Sequence, residues 1–584
     1  MEKNAEELKK EEVIKHLAED EKNELVIMDV DEALEVGGPC GKAQTILQLL
    51  FMSACVTVTY HAVEGYFTGN NPSWRCTTRA INGTLTVSAG HVTNSSYRHV
   101  ANMSSFCTKN YDKIIHSGSV DYYRRCELER SEWEYLTDRR YSYVTEFDLV
   151  CDRAVVAAFA SGSLYLGGQM GCILTGIIAD KYGRKIVMIV SQTFVIIASI
   201  LCSYAANIWQ LTAARIVLGG AQMACYSVGY TAVLEFIAPS YRTASGMMYQ
   251  MMFCVSQLFI DIVAYYQREW RSLQFYSSFA CALSLALFLA TPNTPRWLTS
   301  KGRDKKAKKV LDIIAMYNGN QLPAYDLKSQ SVTKKDNFTY FHLFMTWKMF
   351  ITTSALSYIW ITCALLYFAI ALESSSLGGD MYQAFGLTAT ADLPSYFVAL
   401  FACNYLGRKR TVLGAIFCAG IFIGSASLVP QTYENKYIVN VTLAMLAKFC
   451  TTTAFNGIFL WTFEIYPTVL RSQGSSYCVA WERFGAFVAP FLISVLQSVS
   501  YILPNLIMCI CALSCAGFGL VLPETIDFPT RESYEDFFKE PVNISEDDIE
   551  KNGGVRLNEQ VRGCDNRGLD DIVESVNNNN SSSV

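Results

Sequence analysis

Charge is scarce in this chain: Asp, Glu, Lys and Arg together supply 17% of its 584 residues, well below the ~25% of soluble domains. Histidine is scarcer still. The six, His16, His61, His91, His99, His116 and His342, show no metal-ligand spacing, so no metal site is expected. There is no Walker-type nucleotide loop, no Ser/His/Asp set and no paired-carboxylate constellation. An enzyme is therefore not expected, nor a cofactor. The start of the chain lacks the pattern of a secretory signal, and a net charge of −5 offers nucleic acid nothing to bind.

What the chain does hold is apolar surface, with 51% hydrophobic and 13% aromatic residues. These gather in blocks near the ~20 residues that cross a bilayer. A polar tail, 1–42, precedes a first block at 43–67 and a long loop, 68–152. Five blocks follow at 153–178, 186–206, 208–234, 243–266 and 272–291, and then a polar linker, 292–346. Six more lie at 349–372, 377–402, 411–429, 437–463, 472–496 and 499–522, before a polar tail, 523–584. The pattern predicts an all-α membrane protein with twelve transmembrane helices. The tail after 523 ends in Asn and Ser runs and is expected to be disordered.

Sidedness follows from what lies between the blocks. Lys301, Arg303, Lys305, Lys306, Lys308 and Lys309 mark the cytoplasmic side. The 68–152 loop carries sequons at Asn82, Asn94 and Asn102 and the cysteines Cys76, Cys107, Cys126 and Cys151. Glycans and two disulfides, of open connectivity, are expected there on the extracellular side. Most of the twenty cysteines instead lie in apolar blocks, where Cys behaves as a small hydrophobe. Both termini are then cytoplasmic.

The two sets of six blocks, 43–291 and 347–522, repeat one another. Gly176 to Lys185, with Gly183, Asp180, Arg184 and Lys185, is echoed by Asn404 to Lys409, with Gly407 and Arg408. Positive-inside bias explains the basic residues but not the acid and glycines at fixed spacing. Gly176 and Gly183 are expected where backbones approach or turn sharply. Glu235, Pro239 and Arg242 close the fourth block, and Glu464, Pro467 and Arg471 close the tenth. Such parallel repeats suit a transporter with its substrate between the halves.

The Gly176–Lys185 stretch resembles the signature loop of the major facilitator superfamily, which implies two pseudo-symmetric six-helix halves. Thr145-Glu146-Phe147-Asp148-Leu149-Val150-Cys151, Trp270-Arg271 and Pro295-Arg296-Trp297-Leu298 are similar to segments of the organic ion transporters, solute carrier family 22. Glu464, Tyr466-Pro467-Thr468 and Leu522-Pro523-Glu524-Thr525 match later landmarks of that family. The resemblance spans about 38–530. Asn293 and Asn404 depart from it, each standing where the family has an acid.

The resemblance implies alternating access, with Asp180 and Arg184 joining Glu235 and Arg242 in a cytoplasmic charge network that breaks in the inward-facing state. Glu464 and Arg471 would serve the other half. For the cavity, charges inside apolar blocks are the candidates. Arg483 leads, ~18 Å along its helix from Arg471, followed by Lys448 and Asp261. Glu482 precedes Arg483 but points about 100° away round a helix, a poor permanent partner. The anion answering Arg483 is then the substrate or an acid such as Asp261. Pairing between spans is the competing role for Asp261 and Lys448. Glu64 and Glu373 lie nearer the outer ends, in a vestibule. Trp360, Tyr367, Tyr226 and Tyr396 match family positions that line the cavity, where aromatic faces suit cations.

The resemblance implies a small organic ion as substrate. Arg at position 483 without a Lys at 396 looks most like the carnitine and zwitterion branch, while Asp261, Glu64 and Asp392 leave a cation open. A sugar or other neutral solute on the same scaffold is the first alternative, and a transport-dead sensor the second. Without a nucleotide site, coupling falls to an ion gradient, a counter-substrate or the membrane potential. The lipid bilayer of the plasma membrane is the expected surrounding. Ser582-Ser583-Val584 fits the terminal pattern that PDZ domains take up.

Overall fold

Backbone in hydrocarbon must satisfy its own hydrogen bonds, and the apolar blocks do so as helices. The computed structural model describes residues 26–70, 72–76, 107, 114–115, 121–128, 130, 132–327, 340–373, 380–430, 435–467, 470–500 and 502–525. The chain falls into a unit Met1–Tyr534 and a second, Glu535–Val584, which lies wholly outside the described residues. Asn82, Asn94, Asn102 and Ser582-Ser583-Val584 lie outside them too.

Strand β1 (Val26–Met28) and helix α1 (Val30–Val36) lead into the first span, α2 (Lys42–Thr68). Strands β2 (Trp74–Cys76) and β3 (Trp133–Tyr135) follow in the long loop. The rest of the first half is α3 (Ala154–Tyr182), α4 (Arg184–Ser203), α5 (Ile208–Phe236), α6 (Arg242–Tyr266) and α7 (Trp270–Ala290). The linker holds α8 (Pro295–Ser300), α9 (Asp304–Asn318) and β4 (Tyr325–Leu327). The second half is α10 (Trp347–Glu373), α11 (Met381–Thr390), α12 (Asp392–Tyr405), α13 (Arg408–Ser427), α14 (Lys436–Ile465), α15 (Arg471–Val499) and α16 (Leu503–Gly519). Among the described residues eleven helical segments are long and apolar enough to cross a membrane, with α11 and α12 together as one of them. The twelfth, α16, has 17 residues, the short end of the spanning range of roughly 17–25.

The polar tail and linker, read as separate segments from the sequence, fold together. β1 pairs in parallel with β4. Asp29 caps α1 through a capping box with Glu32, and Ala33 and Leu34 are buried beneath it. Asn318 at the end of α9 donates to the Gly37 carbonyl at 2.9 Å and accepts from the Ala43 amide at 3.0 Å. Strands this short leave no readable periodicity, so the sequence pattern does not expose the pairing.

Two motifs of the sequence meet near the disulfides. β2 and β3 pair antiparallel, and the bridges are Cys76–Cys107 and Cys126–Cys151. The Glu146 carboxylate accepts from Trp270 Nε1 at 2.7 Å and from Arg271 at 2.9–3.1 Å. Arg271 also donates to the carbonyls of Ser203 and Ala205, both at 2.7 Å. One guanidinium thus ties the long loop to the ends of α4 and α7.

The signature loop is a single residue. Helix α3 runs unbroken through Gly176 to Tyr182, and a Cβ at Gly176 would meet nothing within 4 Å. The expectation that Gly176 serves a close approach or a turn is corrected: it is an ordinary helical position. Gly183 makes the whole turn, with φ of +96°, and a Cβ there would lie 2.9 Å from the Trp297 ring. Gly407 repeats it, at φ +95° and 2.5 Å from the Glu524 carboxylate.

Two expected outcomes follow from these contacts. Gly183→Ala should lower the thermal midpoint of the purified protein, since strain of ~1–3 kcal/mol adds to the clash, whereas Gly176→Ala should leave it equal or higher by up to ~1 kcal/mol equivalent. Burial raises the Glu146 carboxyl, but the Arg271 and Trp270 hydrogen bonds outweigh it and hold the group below its ordinary value. Its contribution is then complete above the unfolded value near ~4.3 and is lost as pH falls through the lower folded one. Glu146→Gln should cost ~2 kcal/mol near neutral pH, read as a lower unfolding midpoint that no longer depends on pH through this group.

Candidate translocation cavity

A cavity of about 430 Å³ lies between the halves, within the ~300–1,000 Å³ of small-molecule sites. Its walls come from α2, α3, α5 and α6 on one side and α10, α12, α14 and α15 on the other. Tyr165, Tyr226, Tyr367, Tyr396, Phe455 and Phe459 supply aromatic faces, and Gln222, Gln250 and Asn456 supply amides. Among the lining residues only Glu482 and Arg483 are charged.

These two neighbours on α15 form an ion pair at 3.1 Å. The expectation that Glu482 is a poor partner is therefore corrected. The 100° step separates Cβ atoms, but two long side chains close that angle when an unpaired buried charge is the alternative. Arg483 Nε and Glu482 Oε2 remain buried without hydrogen-bond partners among the described residues. Both ions of the pair thus keep capacity for a further contact.

Tyr226 and Tyr396 stand in the wall as expected, and Tyr396 donates to the Gln250 carbonyl at 3.2 Å across the halves. Tyr367 is held from behind. Its hydroxyl donates to Asp392 at 2.9 Å and accepts from Gln257 at 2.7 Å. Asp392 also accepts from Thr452 at 2.6 Å.

Three expected lining residues stand elsewhere. Lys448 lies 3.0 Å from the Tyr367 ring centroid and donates to the Tyr367 carbonyl at 3.1 Å. Its charge faces Asp392 within the wall. Trp360, 1% exposed, donates to Thr462 at 3.0 Å and packs edge-on against Phe459. Phe455 and Phe459, and not Trp360, face the cavity: a helix face seven residues long is shared by cavity and packing positions alike. Asp261 sits on α6 where Gly386 of α11 leaves room for its carboxylate. It is absent from the cavity wall, and no ion pair joins it to Arg483. Glu64, expected in a vestibule, is 1% exposed and lies 3.6 Å from His61. Glu373 ends α10 outside this cavity's lining.

At the end carrying Gly183 and Gly407, each half has its own charge cluster. Arg184 donates to Glu235 at 2.7 Å and pairs with Asp180 at 3.1 Å. Arg408 donates to Glu464 at 3.0 Å. Lys185 and Lys409 donate to the carbonyls of Leu289 and Leu520, both at 2.8 Å. Arg242 is not joined to Glu235 here: Asp31 of the tail accepts from Arg242 at 2.6 Å and from Arg296. Arg471 opens α15, and its side chain lies outside the described ones.

Glu524 was no candidate from the sequence, yet it accepts from the amides of Arg408 and Lys409 at 2.9 and 3.1 Å, capping α13. The signal was available. Pro523-Glu524-Thr525 follows its half as Pro292-Asn293-Thr294 follows the other, and the Asn293 side-chain oxygen is buried without a partner among the described residues. Tyr165, Phe455 and Phe459 carried no such signal, being aromatics among many.

At the disulfide end the halves close on one another through rings. Phe67 stacks on Tyr382 at 5.4 Å and meets Phe385 at 5.2 Å, and Tyr165 meets Phe368 at 4.8 Å. The cavity's lining extends the other way, to Leu234 and Phe463 beside Glu235 and Glu464. Among the described residues no ion pair crosses between the halves there.

Known proteins share this build. The family model described as "Sugar (and other) transporter" matches residues 77–537. The organic cation transporter protein of Drosophila melanogaster is 26% identical over 554 residues, 92% of this chain and 100% of its own. Solute carrier family 22 member 1 of Oryctolagus cuniculus is 30% identical over 408 residues, 69% of this chain and 73% of its own. In fold, the inward open xylose transporter XylE from E. coli matches with a TM-score of 0.56 at 12% identity, covering 83% of this chain and 97% of that one. The chain is a multi-pass membrane protein of the major facilitator fold and belongs to solute carrier family 22.

Proposed function

We propose that the protein carries small organic ions across the plasma membrane by alternating access, and that it favours substrates bearing a carboxylate together with a cationic group. The observation that carries this reading is the Glu482–Arg483 pair, the cavity's only charges, set among tyrosine and phenylalanine faces. A guanidinium presents a planar fork to a carboxylate. Glu482 and the ring faces of Tyr165 and Tyr226 suit the cationic end. A zwitterion of the carnitine kind can exchange with the internal pair and leave no charge unanswered. Lys448, Asp392 and Trp360 act from behind the wall, holding Tyr367 and the Phe459 face in place.

The state described is inward-facing in this reading. The ring contacts seal the disulfide end, which is extracellular, and the cavity leads to the end with Gly183 and Gly407, which is cytoplasmic along with both termini. Rocking the halves would bring the Arg184–Glu235 and Arg408–Glu464 clusters together. An ion gradient, a counter-substrate or the membrane potential would drive the cycle. A neutral sugar would leave the charged pair unused, which is why the ionic reading is preferred.

Uptake into expressing oocytes, with carnitine, tetraethylammonium, an aromatic carboxylate and glucose, is the direct test. Carnitine uptake should exceed that of glucose. Arg483→Ala at matched surface level should abolish carnitine and carboxylate uptake, and Arg483→Lys should restore part of it. Glu482→Gln should reduce carnitine uptake about tenfold, a loss of ~1.4 kcal/mol, while sparing the carboxylate. Undiminished carnitine and carboxylate uptake after Arg483→Ala would end this reading, and silence with all four solutes would favour a sensor. For the gate, Glu235→Gln should slow uptake more than Asp180→Asn, because the Asp180 side chain is 76% exposed and that of Glu235 13%.

A further inference from the structure

A second charged site lies at the disulfide end, away from the central cavity. Arg125 sits in the short 3-10 helix Tyr122–Glu127, next to the Cys126–Cys151 bridge. It is 2% exposed, yet its Nε and Nη1 have no hydrogen-bond partner among the described residues. Its guanidinium lies 4.1 Å from the Tyr122 ring centroid and 5.6 Å from that of Trp133. Ring faces offset part of the cost of burying a cation, but they leave two N–H groups without acceptors. An unpaired buried charge is among the costliest features a fold can keep.

Arg125 borders a cavity of about 70 Å³. The hydroxyl-bearing residues Tyr123, Tyr143, Ser161, Ser494 and Ser498 line it, and no carboxylate does. The charge and the hydroxyls are those of an anion site with no carboxylate among the described lining residues. On this measure a single water needs only ~10–15 Å³, so the space holds a small monovalent anion together with a few waters.

We propose that Arg125 and the serines of α15 bind a small monovalent anion, a halide or the carboxylate of a small acid, between the long loop and the outer end of α15. Arg125 supplies the charge and two N–H donors, and Ser494 supplies a hydroxyl donor from the second half, joined by Ser498 once its hydroxyl turns from the Val495 carbonyl to which it donates at 2.6 Å. Occupancy therefore clamps the loop, which belongs to the first half, onto the second.

The test uses purified full-length protein carrying Arg483→Ala, so that the central arginine does not contribute. Its unfolding midpoint is followed as sodium gluconate, whose anion is too large for the site, is replaced by chloride or acetate at constant ionic strength. A saturable rise of ~2–4 °C is expected, lost on adding Arg125→Gln and shifted at least tenfold in concentration by Ser494→Ala with Ser498→Ala. Saturable quenching of Trp133 fluorescence by iodide, competed by chloride and removed by Trp133→Phe, reports the same site without unfolding. A response to chloride alone assigns an ambient halide, and a response to acetate alone assigns a carboxylate. The double serine variant decides the matter should Arg125→Gln fail to fold. No anion response in the parent protein, or an unchanged response in the serine variant, overturns the proposal.

Discussion

A charge in hydrocarbon has to be answered, and the arrangement of this protein depends on that constraint. Several charged groups within the spans have drawn an opposite charge, a ring face or a set of dipoles to them, while Asp261 Oδ1 is buried without a hydrogen-bond partner among the described residues. Lys448 has the Tyr367 ring and carbonyl and faces Asp392. Asp392 has Tyr367, Thr452 and Gln257. Arg483 has its own neighbour. The last case differs in where it stands, because its pair lines a cavity that a substrate can enter. In the proposed reading cost becomes recognition there: a ligand with matching charges would replace one answered arrangement by another.

The same constraint explains how the two ends differ. At the disulfide end the halves meet through rings, which can separate without stranding a charge. At the other end the charges are paired within each half, Arg184 with Glu235 and Arg408 with Glu464. Neither half needs the other to satisfy its ions, so that end can part. The two clusters are not copies. The first half keeps Asp180 in its loop and has Asn293 after its last span, while the second has Asn404 in its loop and keeps Glu524. Glu524 caps α13 through backbone amides, whereas the side-chain oxygen of Asn293 is buried without a partner among the described residues.

Much of this was legible as pattern. Twelve apolar blocks, two echoing loops and four cysteines in one polar stretch report the bilayer, the repeat and the oxidised end, because each is a property of composition along the chain. The turn at Gly183 was legible for the same reason, since only glycine accepts that backbone. Gly176 was not, for a glycine inside a helix looks the same in sequence as one at a corner. The partner of Arg242 was hidden too, because Asp31 lies more than two hundred residues away in a tail with little periodicity.

Local sequence thus carried whatever depends on one residue and its near neighbours: span length, turn chemistry, sidedness signals and the presence of an arginine inside a span. Which face of a helix looks into the cavity depended on crossing helices from both halves. Trp360 and Tyr367 share a face of α10 in sequence, but Phe455 and Phe459 of α14 cover the first and leave the second open. Asp261 and Lys448 were equally plausible as cavity charges until packing put one against Gly386 and the other behind a tyrosine. Charge in a membrane is costly wherever it lies, so its presence is written in the sequence, but its partner is chosen by distances that only the packed helices set.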